Sequence, residues 1–320
     1  MTVPGGKEPP PTAGSGIPRA WVWAVQGGVG AVVAALVWRA IGRNWDQFRS
    51  LHVPLALRPT WIALSVLVVF ATYAMQIESW RRILAGWQQR LSYGRAARIW
   101  LLVNLGRYVP GKVWSVAGLI VLAQRAGVES WAAAASAFAI QAVGLGTAVA
   151  VVAATTPAAL SFARLSGAAL AAAATIGLLA WERGARWLAG LLGRADQFRP
   201  LPLGAVVESA ALTLLSWLAY GAAFWLLARG LGLPPGLPAP TAAGVFALGY
   251  ILGLLALVAP GGVGVRELAF IGLLTPYLGS GGAVTLSVGS RVVLTLCEAA
   301  APLGLLLITG RAKEEPGVRT

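Results

Sequence analysis

Six charged side chains stand in sequence otherwise apolar enough for a lipid bilayer. Arg107 and Lys112 flank Pro110-Gly111, Arg266 and Glu267 follow Pro260-Gly261, and Arg291 and Glu298 lie further on. Charge at bilayer depth is costly and marks a functional site by default. Arg can grip phosphate oxygens with two parallel hydrogen bonds, Lys adds a compact charge, and Gly111 lets backbone amides approach the same anion. With Asn104 and Tyr108 completing the first group, these types predict a site for a lipid phosphate built from Asn104, Arg107, Tyr108, Gly111, Lys112, Gly261, Arg266 and Arg291.

The carboxylates suggest a gate. Arg291 and Glu298 are seven residues apart, on one face of a helix, and Arg291 is expected to meet Glu267 or Glu298. A headgroup phosphate would displace that carboxylate, so binding and opening would share one equilibrium. Blander readings exist for both groups. A shallow first turn would let Arg107 and Lys112 snorkel to headgroups, and a buried Arg291 ion pair would only lock the bundle.

The elements that must position these residues are helices. Candidate spans run about Trp21–Trp38, Pro59–Ile77, Trp131–Ala154, Ala159–Ala180, Gly204–Ala228, Thr241–Ala259 and Val284–Thr309, each near the ~20 residues that cross a ~30 Å hydrocarbon core. Arg95–Val109 and Val113–Arg125 are different: as helices they reach only about 20 Å. Two short arms joined by a tight turn predict a re-entrant hairpin, tolerated at depth when buried in protein or facing a watery cavity. Thr241–Ala259 followed by Val265–Leu278 reads as a second hairpin with one longer arm. The two Pro-Gly turns are 150 residues apart, and three spans between them make the hairpins enter from opposite faces, an inverted repeat.

Composition excludes several classes. The chain is 58% hydrophobic and 11% charged, with a mean hydropathy of +0.73, too apolar for a soluble domain. The net charge of +14 fits anchoring to anionic headgroups, and no soluble basic face points to nucleic acid. Cys297 is the single cysteine and His52 the single histidine, so no His/Cys metal site and no Ser-His or Cys-His nucleophile pair is expected. Asp46 stands alone where a glycosyltransferase using a polyprenyl donor would want an acidic pair. No nucleotide-cradling Gly-rich loop with Lys-Ser/Thr occurs, and neither cofactor nor metal is implied.

Lys/Arg counting places both termini on the cytoplasmic side, with fifteen basic residues inside against five outside. Residues 1–19, rich in proline and glycine, predict a disordered cytoplasmic tail; 20–310 the membrane domain; 311–320 a short cytoplasmic tail.

Taken together, Asn104-Leu-Gly-Arg107-Tyr108-Val-Pro110-Gly111-Lys112-Val-Trp114 and Ala259-Pro260-Gly261-Gly262-Val-Gly264-Val-Arg266-Glu267 resemble the paired signatures of the lysylphosphatidylglycerol synthase transmembrane, or flippase-like, family. Arg291 falls where that family tends to carry an arginine after its second motif. The resemblance spans about residues 20–310. It implies a membrane domain that, in bifunctional members, moves aminoacylated phosphatidylglycerol between leaflets and precedes a soluble transferase domain. This chain ends eleven residues past Thr309, so no synthase activity is expected. Gln141 stands where relatives are expected to carry an acid, which weakens any proton-coupled role for the first half.

The expectation is therefore an all-α, polytopic integral membrane helical bundle. It has about six full spans and two inverted re-entrant hairpins, about eight transmembrane segments in all. It would sit in a prokaryotic cytoplasmic membrane, bind an anionic lipid and move it between leaflets without acting as an enzyme. The alternatives are a lipid-binding scaffold of a cell-envelope pathway or, less favoured, an enzyme acting on polyprenyl-linked sugars.

Overall fold

The computed structural model describes residues 56–106, 113–155, 199–255 and 264–311, with isolated positions between 156 and 198. The described residues form seven helices and no strand. These are α1 (Pro59–Gly86), α2 (Tyr93–Leu105), α3 (Val113–Arg125), α4 (Ser130–Thr155), α5 (Leu203–Gly230), α6 (Ala239–Leu255) and α7 (Val265–Arg311). Four stretches are long and apolar enough to cross a membrane: α1, α4, α5 and Val265–Leu305 of α7. The expected first span Trp21–Trp38, the tail 1–19, both Pro-Gly turns and all but isolated positions of the span Ala159–Ala180 lie outside the described residues.

Lengths follow the sequence pattern, with instructive departures. Pro59 sits at the start of α1, where its fixed φ suits a helix and its missing N–H costs nothing. The sequence predicts this span to end near Ile77, yet α1 continues to Gly86. The added turns carry polar side chains that find partners: Glu78 pairs with Arg81 and Arg82, and Arg82 Nη1 reaches Glu208 on α5 at 2.8 Å. The arms α2 and α3 have 13 residues each, about 20 Å of helix and short of a ~30 Å core. The described part of the first arm ends at Leu105, with Gly106 as its cap, and its expected end at Val109 lies outside the described residues. The apolar run of α7 is broken at Gly279, whose φ of 70° and ψ of 169° suit a residue without a Cβ. The arm 265–278 is thereby separated from the longer helix that follows.

α1 and α5 pack antiparallel. Ser65 Oγ donates to Ala223 O at 2.8 Å, while Ser79 Oγ lies 2.7 Å from Ser209 Oγ and 2.8 Å from Thr213 Oγ1. Each helix has 28 residues, with Ser65 and Ser209 at the seventh position, Ser79 and Ala223 at the twenty-first. Exchanging the two helices therefore maps one contact onto the other. The terminal glycines follow the exchange to within one residue. A Cβ on Gly86 would lie 2.7 Å from Ala205 Cβ, and one on Gly230 would lie 2.6 Å from Ile62 Cγ1, so each glycine is the close approach at one end of the crossing.

The short arms start from opposite ends of this pair. The turn after α1 bonds to the turn before α4, Gln89 Nε2 to Glu129 Oε1 at 3.1 Å and Glu129 N to Gln89 Oε1 at 3.2 Å. The chain thus leaves through α2 and returns through α3 at one end. At the other end Arg58 N bonds to Gly230 O at 2.8 Å. There the turn before α6 meets the end of the 265–278 arm, with Gly236 packed against the carbonyl of Tyr277.

Candidate functional site

Where the arms and long helices converge lies a cavity of about 230 Å³, with walls from all seven helices. α1 gives Gln76, α2 Trp100 and Asn104, α3 Ser115, and α4 Gln141. α5 contributes Thr213, Trp217 and Tyr220; α6 contributes Phe246 and Tyr250; α7 contributes Arg266 and Glu298. Two clusters of buried apolar residues hold the frame, one around Trp80, Ile83 and Leu84, the other around Phe224, Phe246 and Phe270.

The start of α7 builds its charge cluster locally. Glu267 in the first turn accepts the Gly264 N–H through Oε2 at 2.7 Å, which satisfies an N–H that the helix leaves unbonded. It also places a carboxylate at the positive end of the helix dipole. The other oxygen, Oε1, lies 3.5 Å from Arg291 Nη1, with the two side chains 20% and 16% exposed, so the pair is largely desolvated. Arg266 points elsewhere. Its guanidinium carbon sits 4.8 Å from the centre of the Phe246 ring and 5.0 Å from that of Phe270, an attraction of the cation to the negative ring faces. Phe246 in turn stacks on Tyr220 at 5.0 Å. Arg266 therefore joins α6 to α7 while bordering the cavity.

Glu298 is 8% exposed and lines the cavity on the second part of α7. Of the two carboxylates that the sequence offers to Arg291, Glu267 pairs with it at 3.5 Å. Asn104 borders the cavity at the end of α2. Arg107, Tyr108, Gly111, Lys112 and Gly261 lie outside the described residues, as does Asp46. The second-half charged residues are thus placed individually, whereas the first-half cations lie outside the described residues.

Sequence reading did not single out Gln76, Trp100, Ser115, Thr213, Tyr220, Phe246 or Tyr250. The available signal was weak: single polar or aromatic residues inside apolar helices, ordinarily read as packing. Trp217 combines both roles. Its Nε1 donates to Gly144 O at 3.1 Å and to Thr147 Oγ1 at 3.2 Å, which ties α5 to α4, while its ring lies 4.7 Å from Tyr250 in the cavity wall. No group of three or more His, Cys, Asp or Glu residues suited to a metal occurs among the described residues.

No curated protein matches the sequence. A family model does match, over residues 23–300, a stretch that includes every helix wall of the cavity and both Pro-Gly segments. The chain belongs to the family described as the lysylphosphatidylglycerol synthase TM region.

Proposed function

We propose that this protein binds the phosphate-bearing headgroup of an anionic membrane lipid and moves it between leaflets. The observation that carries this reading is the cavity between the long helices and the short arms, with Arg266 and Glu298 in its largely apolar wall and the Arg291–Glu267 pair on the same helix as both. Buried charge of this kind is retained in membranes chiefly at ligand and ion pathways. Family membership supports a flippase-like protein.

Architecture supports the same reading. Antiparallel α1 and α5, with short arms starting from opposite ends, form the arrangement expected of an inverted repeat whose broken elements meet at a central site. A headgroup phosphate that competes with Glu267 for Arg291 couples binding to rearrangement of α7, because the same carboxylate caps that helix at Gly264. Arg81, Arg82, Arg90, Arg95, Arg98, Arg125 and Arg199 gather near the α1–α2 turn, against Arg58 and Arg229 at the other end. This bias supports placing the arginine-rich end in the cytoplasm of a prokaryotic cytoplasmic membrane. The proposal involves no catalysis and no cofactor.

Leaflet exchange in proteoliposomes tests it. Purified protein should accelerate transbilayer movement of labelled phosphatidylglycerol, and Arg291→Ala should abolish most of the acceleration. Protein that binds the lipid but leaves its exchange rate at the protein-free level would favour the scaffold reading. Turnover of a lipid-linked sugar, lost in Asp46→Asn, would favour the enzyme.

A further inference from the structure

The last helix folds back on itself. Gly279 interrupts α7 with φ 70° and ψ 169°, a region open essentially to glycine alone. Glu267 lies twelve residues before this break and Arg291 twelve after it, so each leg measures about 18 Å. Glu267 Oε1 and Arg291 Nη1, 3.5 Å apart, therefore close a V whose apex is Gly279. Both legs line the cavity, the first through Arg266, the second through Leu294 and Glu298. At the 150-residue offset of the two Pro-Gly turns, Glu267 and Arg291 correspond to Ala117 and Gln141, which cannot form an ion pair. The charged closure belongs to one half of the chain.

We propose that Gly279 is a hinge and the Glu267–Arg291 pair its latch, so that an anion taking Arg291 from Glu267 lets the second leg swing and widens the cavity. The hinge is read from backbone and packing, and its release by an anion rests on the headgroup reading above. The first leg is anchored. Its buried Phe270 ring fills the place where Gly249 of α6 lacks a side chain, and α6 meets α5 where Ala243 packs on Gly221. At the apex a Cβ on Gly279 would meet no atom within 4 Å, so no packed side chain blocks rotation there, and glycine tolerates φ of either sign. A rotation of ~10° at the apex moves the end of an ~18 Å leg by ~3 Å. That takes a contact now at 3.5 Å out of hydrogen-bond reach. Glu267 can keep its bond to the Gly264 amide while losing Arg291, so the start of the first leg stays capped as the second leg is freed.

The test measures the distance between spin labels on cysteines at Leu268 and Leu296, exposed residues on the first and second legs, in the intact protein carrying Cys297→Ser. The parent should show one short distance. With no lipid present, Glu267→Gln should add a population longer by ~3 Å or more and lower the ratio of short to long about tenfold. Gly279→Ala should deplete the short population with the ion-pairing residues intact, because alanine is strained at the present angles. Gly272→Ala, in an equally open place on the first leg, should leave the distances unchanged. Phosphatidylglycerol added to the parent should produce the same long population. Distances unchanged in both Glu267→Gln and Gly279→Ala would overturn the hinge and leave the headgroup reading standing, and Glu267→Gln alone decides where Gly279→Ala does not fold. Variants that open, beside a parent that phosphatidylglycerol leaves closed, would support the hinge and remove the headgroup as its trigger.

Discussion

Glu267 holds two partners with its two oxygens, the Gly264 amide and the Arg291 guanidinium. Removing Arg291 leaves a carboxylate in a poorly solvated place, so Arg291→Ala should destabilise the protein by about 3–5 kcal/mol. Because the penalty comes from the abandoned charge, the Arg291→Leu/Glu267→Gln double variant should recover much of the loss, with the Gln carbonyl still able to cap Gly264. Thermal unfolding in detergent checks both values. Arg266 makes a different demand, for a planar cation over two rings. Lys keeps the charge but loses the flat stack, and Arg266→Lys should cost about 1–2 kcal/mol in the same assay. These charges were legible in the sequence because they interrupt apolar text. The residues facing them were not: Tyr220, Phe246 and Tyr250 look like packing residues until α5 and α6 are brought against α7.

At the scale of elements, the α1–α5 crossing combines hydroxyl bonds with close-packed glycines, and the two should differ in weight. Interhelical hydrogen bonds between spans average about 0.6 kcal/mol, so Ser65→Ala should be nearly silent. A leucine at Gly230 must displace Ile62, an overpacking expected to cost about 1–3 kcal/mol. Denaturation in mixed detergent micelles would rank the variants, and Gly86→Leu should match Gly230→Leu if the exchange symmetry holds energetically. The short arms were readable because 13 apolar residues cannot cross a bilayer, and the end of the second arm was readable from Gly279 beyond Leu278. The extension of α1 past Ile77 was not, because Glu78 and Arg82 look like a stop until Glu208 on a distant helix is seen to meet them.

For the whole molecule, the two pairs of arms rising from opposite ends predict opposite accessibility. Cysteines placed at Lys112 and Gly262 should be labelled by an impermeant reagent from different sides of a sealed vesicle. Labelling of both from one side would refute the inverted arrangement. Cys297 is buried and should give little background. The pairing of equivalent residues was only faintly legible, since α1 and α5 share little beyond Ser65/Ser209 and Gly86/Gly230. The likeness is one of geometry, in which different side chains satisfy the same contact.

The α1–α5 crossing also bears on how such a chain could have arisen and how it could be taken apart. Its contacts join α1 to α5 and do not require a peptide link between them. Two separately translated pieces, 1–198 and 199–320, should therefore assemble when co-expressed, and affinity purification of one should recover the other. A leucine at Gly230 should prevent that recovery. Reassembly would show that the crossing holds the two parts of the bundle together without a covalent link.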